Sequence, residues 1–169
     1  RQMKHLLLTT IVAVVLVSPA FAQEYPEGHI TDAIYDGDVN LVKEWIDWGV
    51  DVNEQSDVSY EGESYLHEAA RFGQKEVAVL LVNEGAAVNA KTDRGYTPLD
   101  YAVEGTETVG KTDTIEFLRS KGAKSGAEDS LHVAAGMGNL EAIQVHLNAG
   151  VDINALHYGT PLYRAAEKN

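Results

Sequence analysis

Cysteine is absent from the 169-residue chain, and with it go disulfide staples, thiolate catalysis and cysteine-ligated zinc. Basic residues are scarce: 13 Lys and Arg stand against 26 Asp and Glu, a formal charge of -13. That balance opposes binding to nucleic-acid backbones and to anionic lipid, because both rest on attraction by Lys and Arg. It suits a basic partner. The constellations that carry chemistry are missing too: there are no paired carboxylates, no Ser/His/Asp set and no His cluster at metal-ligand spacing, the six His being scattered. An enzyme is not indicated, nor any cofactor or metal. Long apolar runs are also lacking, since Leu6 to Val17 is too short for the roughly 30 Å of hydrocarbon in a bilayer.

That run has another reading. Lys4 and His5 give it a positive start, and Ser18-Pro19-Ala20-Phe21-Ala22 ends it in the small-x-small pattern that a signal peptidase needs. The pattern predicts a signal peptide over residues 3–22, beginning at Met3 and cut after Ala22. Cleavage removes Arg1 and Lys4 and no acid, which takes the net charge to -15. The mature chain is then expected to be periplasmic or secreted, monomeric and not inserted in a membrane.

What is present is a repeat. With 44% hydrophobic residues the chain can build a packed core. From Glu63 to Ala90 runs Leu66-x-x-Ala69-Ala70, a Gly seven residues after the Leu, a second Gly twelve later, and then Val88-Asn89. The anchoring Leu or Ile recurs at Ile30, Leu66, Leu99, Leu131 and Leu162, and the second Gly at Gly49, Gly85, Gly122 and Gly150. The period is about 33 residues. Tyr96-Thr97-Pro98-Leu99, Gly159-Thr160-Pro161-Leu162, Ser64-Tyr65-Leu66-His67 and Gly150-Val151-Asp152-Ile153-Asn154 resemble the Gly-x-Thr-Pro-Leu-His and Gly-Ala-Asp-Val-Asn signatures of the ankyrin-repeat family. The resemblance covers about residues 28 to 169. It implies an all-α solenoid of stacked helix-turn-helix units with short β-hairpin fingers, about four repeats plus a partial fifth.

Each signature residue has a physical task. Thr97 and Thr160 can cap the first helix of a repeat, and Pro98 and Pro161 sit at its first position, where a missing N–H costs nothing. The anchoring Leu points inward. The Ala pairs keep one helix face small, and Val77, Leu80, Leu81 and Val82 give the second helix its apolar face. Gly85 and its counterparts end that helix in a left-handed turn. Trp45 fills a core slot, and His67 and His132 occupy the last position of the Thr-Pro-Leu-His slot, where a structural hydrogen bond is expected.

Two irregularities interrupt the pattern. Eleven residues separate Leu99 from Gly110 where seven separate Leu66 from Gly73, so four are inserted between the helices of repeat three. The insertion includes Gly105-x-x-x-x-Gly110-Lys111-Thr112, a literal phosphate-loop pattern, and it supplies the alternative reading of a nucleotide-binding protein. Against it, Thr97-Pro98 opens a helix where a phosphate loop needs a buried strand. The second irregularity is the stretch from Gly122 to Leu131, nine residues where Gly85 to Leu99 takes fourteen. A finger is missing there. The chain is expected to divide into repeats one to three over 23–126, and repeat four with the first helix of repeat five over 127–169, with a continuation beyond Asn169 in the natural protein.

In ankyrin arrays the fingertips, the starts of first helices and the ends of second helices grip other proteins, and the resemblance carries this role over copy by copy. It falls on Tyr60, Glu61, Glu63, Arg71 and Phe72 in repeat two, on Asp93, Arg94, Tyr96 and Glu104 in repeat three, on Glu128 and Met137 in repeat four, and on His157 and Tyr158 in repeat five. Trp48 and Glu84 close second helices. The expected function is an exported protein-protein interaction module binding through its concave face.

Overall fold

The computed structural model describes residues 26, 28–56, 59, 61–104, 110–156 and 159–167. The proposed leader lies outside them, as do Tyr60, residues 105–109 of the insertion, His157 and Tyr158. The described chain is helical: α1 (Ile30–Asp36), α2 (Val39–Trp48), α3 (Tyr65–Arg71), α4 (Lys75–Asn83), α5 (Pro98–Val103), α6 (Lys111–Ser120), α7 (Leu131–Met137), α8 (Leu140–Asn148) and α9 (Pro161–Ala166), with a one-turn 3-10 helix over Gly126–Glu128. None exceeds ten residues. Isolated helices of that length are marginal in water, so each owes its existence to its neighbours.

Local sequence sets the boundaries. Thr97 accepts the Asp100 N–H, Asp100 reaches back to the Thr97 N–H at 2.8 Å, and Pro98 follows at the first position of α5. Thr160 and Pro161 open α9 in the same way, without the reciprocal carboxylate. Gly85, Gly122 and Gly150 hold positive φ after α4, α6 and α8. α6 begins at Lys111, directly after Gly110. The fingers are tight turns and not β-ladders: Thr92 N–H meets the Tyr96 carbonyl at 2.9 Å and Gly95 N–H meets the Thr92 carbonyl at 2.8 Å, while one isolated bridge, Gln55 to Ser64, occurs among the described residues.

α1, α3 and α5 stack as one layer and α2, α4 and α6 as a second. One continuous core, from Ile30 through Leu66, Leu81 and Leu99 to Leu118, lies between them. A smaller core of Ala127, Val133 and Ala134 belongs to α7 and its surroundings. Neither layer carries on across the division, because α5 makes no comparable packing on α7, nor α6 on α8, among the described residues. Tyr96 packs against both cores.

Asp100 bridges the division. One of its carboxylate oxygens accepts the Ser125 hydroxyl at 2.5 Å, and the other accepts the Gly126 N–H at 2.8 Å. A Cβ on Gly126 would stand 2.2 Å from the Gly95 carbonyl oxygen, so that turn requires glycine for close approach. In repeats two and four the slot of Asp100 holds histidine. His67 Nδ1 accepts the Ser64 N–H at 3.0 Å while Nε2 bonds the Tyr96 carbonyl at 3.2 Å, and His132 Nε2 meets the Ala155 carbonyl at 2.8 Å. A finger offers carbonyls and calls for a donor; the shortened turn offers N–H and O–H groups and calls for an acceptor. One anchor departs from expectation: Leu162 is 75% exposed, whereas Ile30, Leu66, Leu99 and Leu131 are buried, because among the described residues no further repeat stacks on α9.

Candidate partner-binding cleft

The first helices share a stripe. Two and five residues after each anchor the side chains lie one turn apart on a single helix face. Those positions are Asp32 and Tyr35 on α1, Glu68 and Arg71 on α3, Tyr101 and Glu104 on and just after α5, Val133 and Gly136 on α7, and Arg164 and Glu167 on and just after α9. Six of them, Arg71, Tyr101, Glu104, Gly136, Arg164 and Glu167, line a cleft of about 440 Å³ with finger residues Glu61, Glu63, Arg94 and Tyr96, its walls drawn from both sides of the division. An adjoining depression of about 260 Å³ is lined by Thr31, Asp32, Tyr35, Glu63, Glu68, Arg71 and Phe72.

Charge is concentrated and ordered there. Three of the chain's five arginines line the cleft. Arg71 pairs with Glu63 and, at 3.6 Å, with Glu68, and its guanidinium lies 4.7 Å from the centre of the Tyr101 ring. The Tyr101 hydroxyl donates to Glu63 at 2.6 Å. Arg94 meets Glu61 at 2.5 Å, and Arg164, only 4% exposed, meets Glu167 at 3.0 Å. Cleft and depression together hold Asp32, Glu61, Glu63, Glu68, Glu104 and Glu167 against three arginines, an excess of three negative charges.

Protonation follows from these contacts. Burial and then the bond to Glu63 raise the Tyr101 phenol far above its ordinary range. Burial opposes ionisation of Glu63, but the Tyr101, Ser59 and Arg71 contacts outweigh it and hold its carboxyl below the usual value. Burial also raises Glu68 and Tyr96. Glu63 thus stays ionised and Tyr101 and Tyr96 stay neutral at pH 7. No group of three or more potential metal ligands occurs among the described residues.

The expected contact residues divide. Glu61, Glu63, Arg71, Arg94 and Tyr96 line the cleft, and Phe72 lines the depression, edge-on to Tyr35 with ring centroids 4.8 Å apart. Asp93 lies at a fingertip, its N–H on the Glu61 carbonyl at 2.8 Å. Trp48 does not join them. It closes α2 in the other layer, 45% exposed and edge-on to Trp45. Tyr96 has a structural task besides: its ring lies edge-on to Tyr101, and a Cβ on Gly136 would stand 2.1 Å from its hydroxyl. Tyr35, Glu68, Tyr101, Arg164 and Glu167 were not anticipated; the spacing of two and five residues past each anchor is the signal that finds them.

The phosphate-loop pattern meets a different fate. Lys111 is 6% exposed and its ammonium donates to the Glu104 carbonyl, with burial holding it below the ordinary lysine range. The Thr114 hydroxyl bonds the Gly110 carbonyl at 3.1 Å. A Cβ on Gly110 would lie 2.8 Å from the Gly73 carbonyl oxygen. Lys111 and Gly110 are committed to packing the second helix of repeat three.

Stacked helix pairs closed by glycine turns, with a groove along the first helices, define a helical-repeat interaction module. A family model described as ankyrin repeats (3 copies) matches residues 30–129, and the chain belongs to the ankyrin-repeat family. It is similar to the transient receptor potential cation channel subfamily A member 1 homolog of Caenorhabditis elegans, 32% identical over 122 residues, covering 70% of this chain and 10% of that protein. It is also similar to the B-cell lymphoma 3 protein homolog of Mus musculus, 30% identical over 118 residues, covering 65% of this chain and 25% of that protein. Among solved structures it resembles the human ASB11 ankyrin repeat domain, with a TM-score of 0.49, 30% identity, and coverage of 82% of this chain and 62% of that one. The chain thus spans a quarter or less of these two curated relatives.

Proposed function

We propose that the protein is an exported interaction module that holds a segment of a partner protein in the cleft, without catalysis. The observation that carries the reading is the cleft, where acids, arginines and aromatic faces from α3, α5 and α9 converge, with the adjoining depression between α1 and α3. Its excess of negative charge, within a chain of net -13, fits a basic segment and would speed its capture. The leader pattern at residues 3–22 supports export to a periplasm or extracellular space, with the module monomeric and outside the bilayer. Aromatic and arginine side chains at the centre with acids around them is the composition of an energetic interface core.

Affinity capture from envelope extract tests this with three baits: the wild type, Glu61→Lys/Glu104→Lys and Trp48→Ala. Neither residue of the charge-reversal pair is buried. A protein held by the wild type and by Trp48→Ala but lost from the reversed cleft is the expected result. The same captured set on all three baits overturns the assignment of the cleft.

A further inference from the structure

The depression beside the cleft holds charge that the chain does not balance. Glu63 and Glu68 are both buried, and Arg71 is the cation they share. Glu63 takes most of it: Arg71 donates to its carboxylate, and the Tyr101 hydroxyl adds a bond at 2.6 Å. Glu68 is left with Arg71 at 3.6 Å, outside hydrogen-bond range, and no hydrogen bond reaches its carboxylate among the described residues. A carboxylate only 5% exposed and without a donor is costly, and burial accordingly pushes its pKa up. Asp32, exposed on α1 and without an ion pair among the described residues, lines the same depression. Three acids and one arginine line it, an excess of two negative charges.

The other walls are aromatic. Tyr35 and Phe72 meet at 80° with centroids 4.8 Å apart, so their rings form a corner. Tyr35 is 61% exposed; before Leu140, it and Trp48 are the only large hydrophobic side chains so exposed among the described residues. The chain itself shows what such surroundings hold. In the cleft the Arg71 guanidinium lies 4.7 Å from the centre of the Tyr101 ring while Glu63 accepts from it. One repeat towards the N-terminus, aromatic ring and buried carboxylate stand together again as Tyr35, Phe72 and Glu68.

We propose that the depression receives one arginine side chain of the bound segment, its guanidinium pairing with Glu68 and Asp32 against the Tyr35–Phe72 corner. The segment rests on the reading of the cleft given above; the chemistry of the pocket does not. A guanidinium suits it better than an ammonium. Its planar fork can serve carboxylates on two neighbouring helices at once and lie flat on a ring, and it sheds water more readily beside a buried acid.

The test titrates the full chain with N-acetyl-arginine amide, and with the lysine and citrulline amides at the same ionic strength, while nuclear magnetic resonance follows the Tyr35 and Phe72 ring protons. The arginine probe should shift both rings saturably, with Kd on the order of 1 mM. The lysine probe should bind several-fold more weakly, and the neutral citrulline probe should give no saturable shift. Glu68→Gln should weaken arginine binding about tenfold. Tyr35→Ala, read on Phe72, replaces a surface residue that leaves the fold intact and should weaken it about threefold. Trp48→Ala should change nothing. No saturable shift with arginine, equal or tighter binding of the lysine or citrulline probe, or shifts indifferent to both Glu68→Gln and Tyr35→Ala overturn the proposal. The probe is a free amino-acid amide, so such a failure leaves the capture result intact, and a failed capture leaves the pocket standing.

Discussion

Repeats one to three and the stretch from Ala127 onward use the same helix-turn-helix unit, yet the first has a continuous core and the second a core of three buried residues. The unit's intrinsic quality does not separate them. α8 has nearly the amphipathic pattern of α4, but α4 is flanked by α2 and α6 while α8 meets α7 and the 3-10 turn. Stability in an array is a property of interfaces, and an end or a break in the stack removes it locally. The break is also where the cleft lies, so the least supported junction carries the surface most suited to a partner.

The sharpest way to expose that contrast is to delete the same kind of side chain on each side. Leu81→Ala opens a cavity in the continuous core and should cost about 2–5 kcal/mol in urea unfolding at unchanged m, whereas Val145→Ala should stay within about 0.5 kcal/mol. A smaller effect is expected at the junction. Asp100→Ala strands the Ser125 hydroxyl and the Gly126 N–H, at about 1–3 kcal/mol, and should separate the unfolding of the two regions further. In the cleft, Glu63→Gln should cost about 1–2 kcal/mol, and alkaline ultraviolet titration should find the Tyr101 phenol returned toward its ordinary value, because the carboxylate that helps raise it is gone.

The smallest effect is a pH dependence. Burial lowers the pKa of His67 from 6.5, so between the folded and unfolded values the unfolded chain binds more protons. Its contribution is therefore complete above about pH 6.5 and declines as the pH falls below it. Thermal unfolding at pH 7.5 and 5.5 should show a smaller loss for His67→Gln than for the wild type. Equal losses would mean that His67 does not titrate with folding.

Much of this molecule is legible in its sequence because punctuation residues act locally. Thr97 and Thr160 announce caps, Pro98 and Pro161 helix starts, and Gly85, Gly122 and Gly150 left-handed turns. His67 and His132 reveal their tasks because their slot recurs with a finger carbonyl opposite it. Less legible was the meaning of Asp100 in that slot, which makes sense only once the Gly126 turn is seen to present donors. The cleft shows the same limit. Glu61, Glu63, Arg71, Arg94 and Tyr96 follow from fingertip and helix positions within one repeat, but Arg164 and Glu167 enter from across the division, where spacing along the chain no longer fixes distance. Trp48 lies apart from the cleft because it closes a second helix, in the other layer, where its ring rests edge-on to Trp45.

Both tryptophans lie in α2, so their fluorescence reports on repeats one to three, while far-ultraviolet circular dichroism reports on every helix. Following urea unfolding of the full chain by both signals tests the division at the Gly126 turn most directly. The account predicts that helical signal is lost first, at lower urea, as α7 to α9 unfold, with the tryptophan transition following. Coincident transitions with a single midpoint would contradict it, and would make the array one cooperative unit in which the shortened turn is no break at all.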